Sequence, residues 1–140
     1  MRQILLFAAL AVSLALLSGC ALSKAKEDKA EDMPDKAAYH KISAEEAYEM
    51  MASQEVVVVD VRTREEYDGG HIENAVLVPN ESIGSEMPEA RPDKEATLLI
   101  YCRSGRRSKD AAQKLLALGY QSVYDFGGVI DWPYELVKEG

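Results

Sequence analysis

Cysteine is scarce in this chain: 140 residues hold only Cys20 and Cys102. One disulfide is the most they can form, and an oxidising compartment would permit it. Each has another explanation, however. Cys20 closes a processing signal and Cys102 sits in a motif, so a Cys20–Cys102 bond is not expected. Histidine is equally sparse, and His40 and His71 lie far in sequence from each other and from Cys102. No metal-ligand spacing results, and no metal is expected. Positive charge is also in deficit, with 16 Lys and Arg against 24 Asp and Glu and a formal net charge of -8. That balance excludes nucleic acid as the main partner, because phosphate binding needs a basic face. It leaves room for a small local anion site. There is no internal repeat. Hydrophobic residues make up 47% of the chain, a figure inflated by the first twenty positions. The remainder still suffices for the core of one domain of ordinary size.

The longest apolar run is Ile4–Leu17, within "MRQILLFAALAVSLALLSGC". A membrane span needs about 20 apolar residues, so the run is short for one. A basic residue, an apolar stretch and a small-residue exit form the three-part pattern of a secretory signal. Its basic region is thin, with Arg2 alone. The ending "LSGC" resembles the lipobox of bacterial lipoproteins. That resemblance implies removal of residues 1–19, with Cys20 diacylated as the new N-terminus. It also implies an extracytoplasmic domain held to a bacterial membrane by its lipid. Residues 20–37 mix Lys, Glu, Asp and Ala around Pro34, with little to bury. They read as a tether to a domain spanning 38–140.

From Tyr39 onward, short apolar runs alternate with amphipathic stretches. Strands are expected at "YHKIS" (39–43), "VVVVD" (56–60), "AVLVP" (75–79), "TLLIYC" (97–102) and "SVYDF" (122–126). The unbroken β-branched run at 56–60 suits a strand buried on both faces. Ser43 with Glu46, and Thr63 with Glu66, have capping-box spacing and start two helices. Gly69–Gly70 stop the second. A third helix covers 106–118, with Ala111, Ala112, Leu115, Leu116 and Leu118 as its apolar face and Gly119 near its end. A short helix follows Gly127–Gly128, around Trp132. Strands alternating with helices imply an α/β fold: a central, mainly parallel sheet with helices on both faces. Sites in such sheets form at the carboxyl ends of strands, where both Cys102 and Asp60 fall.

"YCRSGRRSKD" (101–110) concentrates positive charge around one thiol. A strand ends at Cys102 and a helix starts a few residues later. Unpaired N–H groups and the partial positive charge of a helix N-terminus lower the pKa of a thiol held there. Gly105 lets the loop curl, and a curled loop points successive N–H groups into one anion nest. Arg103, Arg106 and Arg107 add charge, although not all three can point inward. An inert core cysteine needs none of these features.

Counted from Cys102, the arginines fall one, four and five positions later, and the sixth position is Ser108. The C-x5-R loop of protein phosphatases and arsenate reductases needs arginine at that sixth position. "CRSGRRS" instead resembles the shorter active-site loop of the rhodanese family of sulfurtransferases. "DVRTREEYDGGHIENAVLVP" (60–79) resembles the same family at Asp60, Val61, Arg62, Glu66, Tyr67, Gly70, His71, Ile72, Ala75 and Pro79. "VYDFGGVIDW" resembles its closing segment at Gly127, Gly128 and Trp132. Asn74 departs from the family's usual glycine and is read as a turn variation. The resemblance covers roughly 38–140 in the right order.

It implies the rhodanese-like three-layer fold and sulfurtransferase activity. Cys102 is the implied catalytic nucleophile, and Arg103, Ser104, Gly105, Arg106 and Arg107 form the implied anion-binding loop. No cofactor is implied. The partners would be a small anionic sulfur donor (thiosulfate, a persulfide or a polysulfide) and a thiol, cyanide or protein acceptor. His71 is implied to be structural, since a thiolate ionised by its surroundings needs no base. Asp60 and Arg62 are read as a salt bridge supporting the edge of the site. Trp132 and the tyrosines are read as packing. Two alternatives stand beside this reading. One is a rhodanese-fold module for protein binding or redox sensing; the other, less favoured, is a phosphatase or arsenate reductase.

Overall fold

A computed structural model describes residues 38–84 and 92–138. The signal segment, the tether, Cys20 and part of the 80–96 loop lie outside the described residues. Five strands are present: β1 (Ala38–Lys41), β2 (Val57–Asp60), β3 (Val76–Leu77), β4 (Thr97–Cys102) and β5 (Ser122–Gly128). Three α-helices accompany them: α1 (Ala44–Ser53), α2 (Arg64–Asp68) and α3 (Arg106–Ala117). The sheet order is β1-β5-β4-β2-β3, and every pairing is parallel.

Both capping boxes form. The Ser43 hydroxyl accepts the Glu46 N–H while Glu46 accepts the Ser43 N–H, and Thr63 and Glu66 do the same at α2. These reciprocal bonds satisfy donors that a helix start leaves open. Asn74 takes φ 62°, a left-handed turn that asparagine tolerates better than most residues.

Strand alternation sorts the core into two layers. Leu98, Ile100 and Cys102 of β4 join Val59, Val61 and Val123 against Ala111, Ala112 and Leu115 of α3. Leu99 and Tyr101 face the other way, with Val58 and Phe126, against Ala47 of α1, Tyr67 of α2 and Trp132. Each Val, Leu, Ile or Phe side chain among them, fully buried, contributes roughly 1.5–3 kcal/mol. The three-layer α/β fold expected from the sequence is the one observed.

Three elements differ from expectation. Only Val76–Leu77 of "AVLVP" pair as strand, because the chain turns off the sheet edge at Pro79 into a 3-10 turn at Asn80–Ser82. Gly127 and Gly128 do not follow the last strand but belong to it. The helix expected around Trp132 is a single 3-10 turn, Val129–Asp131, with Trp132 just after it.

Candidate active site

β4 is buried from Leu98 onward, and Cys102 ends it on the α3 side of the sheet. Only Arg103, Ser104 and Gly105 separate the strand from α3. So short a link closes because Gly105 adopts φ 100°, a left-handed conformation costly to any residue with a Cβ. The turn carries the Gly105 N–H to 3.0 Å from the Cys102 sulfur. Burial alone pushes the Cys102 thiol up. The backbone N–H groups of Ser108, Gly105 and Ser104, with the Ser108 hydroxyl once it donates to the thiolate, outweigh it and hold the thiol below its ordinary value.

The arginines do not share one role. Arg103 and Arg106 are exposed beside the loop. Arg107 reaches back across the sheet edge to α2. Its two terminal nitrogens donate to the two Glu66 carboxylate oxygens, each at 2.7 Å. This fork-to-fork geometry is the strong form of an ion pair. Glu66 is fixed in place by the Thr63 capping box, so α2 holds out a carboxylate to the first turn of α3. Hydrogen bonding from Arg107 draws the Glu66 carboxyl down from 4.5 to about 2. The structure therefore narrows the expected anion loop. Arg107 is taken up by Glu66, and Arg103 and Arg106 remain as its open cations.

Asp60 and Arg62 do form a salt bridge, and it is almost wholly buried. Asp60 accepts from the Arg62 side chain at 2.6–3.0 Å and from the Tyr101 hydroxyl at 2.7 Å. Arg62 also donates to the Gly70 carbonyl at 2.8 Å, and Tyr101 accepts the Ile72 N–H at 3.1 Å. The network locks the residue preceding Cys102 to the segment that follows α2. It lies on the sheet face opposite Cys102, so it braces the edge without touching the thiol. His71 is structural by the same test. Its Nδ1 donates to the Tyr67 carbonyl at 2.9 Å, and its ring stacks on Tyr67 at 3.6 Å. Its backbone pairs with Val137 in both directions.

Two residues at the thiol carry more than their sequence suggested. Ser108, notable in the sequence only as the absence of an arginine, is fully buried with its Oγ 3.7 Å from the Cys102 sulfur. That hydroxyl has one proton and several acceptors around it. Asp125 Oδ1 lies at 2.7 Å, the Gly105 carbonyl at 3.1 Å and the Gly127 carbonyl at 3.3 Å. Distance and charge both give the proton to Asp125. Ser108 thus meets a protonated sulfur as an acceptor. It can donate to a thiolate only by turning away from the carboxylate. Asp125 is itself buried and is held by the Gly127 N–H at 2.9 Å, the Tyr39 hydroxyl at 2.8 Å and Lys41 at 3.4 Å. Burial and Asp125 push the Tyr39 phenol up to about 12, which keeps it a donor. The signal for this cluster was present in "SVYDF": an acid inside a buried strand must be partnered.

Residues 43–133 match the family described as the rhodanese-like domain. A tRNA uridine(34) hydroxylase of Yersinia pestis is 31% identical over 106 residues, covering 72% of this chain and 30% of that protein. The chain thus spans less than a third of the length of that curated relative. Among solved structures, a rhodanese-like domain protein of Staphylococcus aureus is 31% identical with a TM-score of 0.64, covering 72% of this chain and 99% of the other. A human single-domain sulfurtransferase is 28% identical with a TM-score of 0.60, covering 66% and 93%.

The Ser108 geometry predicts opposite effects from two substitutions. Ser108→Ala removes a donor to the thiolate and raises the apparent pKa of Cys102. Asp125→Asn removes both a negative charge and the competitor for the Ser108 proton, and lowers it. The pH dependence of Cys102 alkylation, read by mass spectrometry, measures both, and shifts in one direction overturn the arrangement. The Glu66–Arg107 pair makes a prediction about stability. A carboxyl whose folded value is depressed stabilises above its unfolded value, and that stability is lost as pH falls. The difference in denaturation free energy between the native chain and Glu66→Gln should shrink between pH 4.5 and about 2. A gap that widens on acidification contradicts the pairing.

Proposed function

The chain belongs to the family of rhodanese-like domains, and from that premise we propose that it is a sulfurtransferase working through a Cys102 persulfide. The observation that carries the reading is the sulfur held at the start of α3 by the N–H groups of Ser104, Gly105 and Ser108. A thiolate so stabilised is a nucleophile without a base. In the proposed first step Cys102 attacks the outer sulfur of thiosulfate, a persulfide or a polysulfide. A bond forms between the two sulfurs, and the donor's own S–S bond breaks. Sulfite or a thiolate leaves with the electron pair. In the second step a thiol, cyanide or protein nucleophile attacks the terminal sulfur, and Cys102 departs as thiolate. Exposed Arg103 and Arg106 draw the anionic donor to the loop.

A phosphatase reading is disfavoured by the residue at the sixth position. Ser108 is buried there and bonded to Asp125, so no guanidinium closes the loop around a phosphate. Hydroxylation of tRNA belongs by name to relatives of which this chain spans 30%. The net charge of -8 gives no support to a nucleic-acid substrate here. We also propose that Cys20 is lipidated and anchors the domain outside the cytoplasm. The "LSGC" ending supports this, as does the polar tether after it.

Purified protein treated with thiosulfate should gain the mass of one sulfur atom on Cys102, and cyanide should remove it with turnover. Cys102→Ser should do neither. A native protein with no mass gain from thiosulfate, persulfide or polysulfide would falsify the proposal. A protein-binding module would instead keep its partner in the Cys102→Ser variant. For the anchor, expression in bacteria with labelled palmitate should label the chain and place it with membranes, and Cys20→Ala should abolish both. An unlabelled native chain rules the anchor out.

A further inference from the structure

On the α1 side of the sheet, away from the thiol, α1, the segment 72–74 and the segment 132–135 enclose an open cleft of about 800 Å3. Its size lies within the range of small-ligand sites. Three aromatic rings meet there. Tyr48 and Tyr134 stack at 3.9 Å, and Trp132 stands across them at 61° and 70°. The stacked pair is not covered: Tyr48 is 46% exposed and Tyr134 36%. Leu136 and Val137, which are also exposed, follow directly in the chain. Such a concentration marks contact with something else.

The chemistry of the walls says what kind of group fits. The faces of aromatic rings are electron-rich. Glu73 and Glu135 line the same cleft, and among the described residues neither has a cationic partner. Met51, from the last turns of α1, adds an apolar wall. Aromatic faces and unpaired carboxylates around a concave apolar surface attract a cation carried on an aliphatic stem. The field of a chain at -8 steers in the same direction.

We propose that this cleft is a binding site for a lysine or arginine side chain of a partner protein. The stem lies against Met51 and the rings, and the head reaches Glu73 and Glu135. The site uses none of the groups around Cys102 and does not rest on the sulfur-transfer reading.

Trp132 is the chain's single tryptophan, so its fluorescence reports on the cleft directly. The full chain is titrated with tetralysine, tetraglycine and tetraglutamate. Tetralysine alone should change the emission saturably. Glu73→Gln with Glu135→Gln should weaken that response by roughly tenfold or more, as should Tyr134→Leu, which keeps apolar bulk but removes the ring. Glu73 and Glu135 are exposed, so the far-UV circular dichroism melting curve of the double variant should not move. An absent response, an equal response to tetraglycine, or a response unaltered by the double substitution overturns the proposal. A tetralysine response that appears only after Lys24, Lys26, Lys29 and Lys36 are replaced by Gln assigns the cleft to the chain's own tether and also overturns it. Sulfur transfer at Cys102 is unaffected in the double variant, which keeps the two readings separable.

Discussion

The carboxyl edge of the sheet depends on how closely the Arg103–Gly105 turn lies against β5. A Cβ at Gly128 would collide with the Arg103 carbonyl oxygen and the Ser104 Cα. That contact lets the chain leave β4 and enter α3 within three residues, and it sets the N–H groups of the turn around one sulfur. The Ile130 N–H donates to the Arg103 carbonyl at 3.2 Å, so the turn is also fastened from outside. Two glycines do different work here. Gly105 permits the backbone angle, and Gly128 provides the room. Replacing either would move the thiol relative to its donors rather than remove the thiol.

A second constraint follows from alternation along the strands. Asp60, at the carboxyl end of β2, and Asp125, midway along β5, are both buried, but their side chains leave opposite faces of the sheet. Each would be costly if unpaired. Asp60 is satisfied by Arg62 and Tyr101 on the α2 side, where its effect is architectural. Asp125 is satisfied by Ser108, Tyr39, Lys41 and the Gly127 N–H on the α3 side, within reach of the sulfur's own hydrogen bonds. One carboxylate braces the sheet edge, while the other competes for a proton that a thiolate could use.

What was legible in the sequence was what local patterning controls. The run "VVVV", the two capping boxes and the apolar face of α3 each follow from period and propensity, and each is found in the structure. The loop after Cys102 was legible because glycine and the following helix are adjacent to the thiol. The pairs that tune it were not. Glu66 meets Arg107 across 41 positions, and Ser108 meets Asp125 across 17. Nothing in local spacing announces either contact. Glu66 looked fully explained by its cap, and Ser108 by what it was not. The glycines of β5 were misplaced for a related reason. Glycine in a strand signals a close approach, and only the fold shows what approaches.

The arginine cluster that first distinguishes the sequence is therefore not the main source of positive potential at the sulfur. One of its three guanidiniums is neutralised by Glu66, and the other two are exposed to solvent and screened. The donors that reach the buried sulfur are backbone N–H groups, which carry no net charge and cannot be titrated. Their effect is strongest where water is excluded, and Cys102 is 1% exposed. A thiolate stabilised in this way needs little formal charge nearby, which is how it can sit in a chain of net charge -8. The open arginines act on anything that approaches the loop. The backbone acts on whatever sulfur stands at its centre.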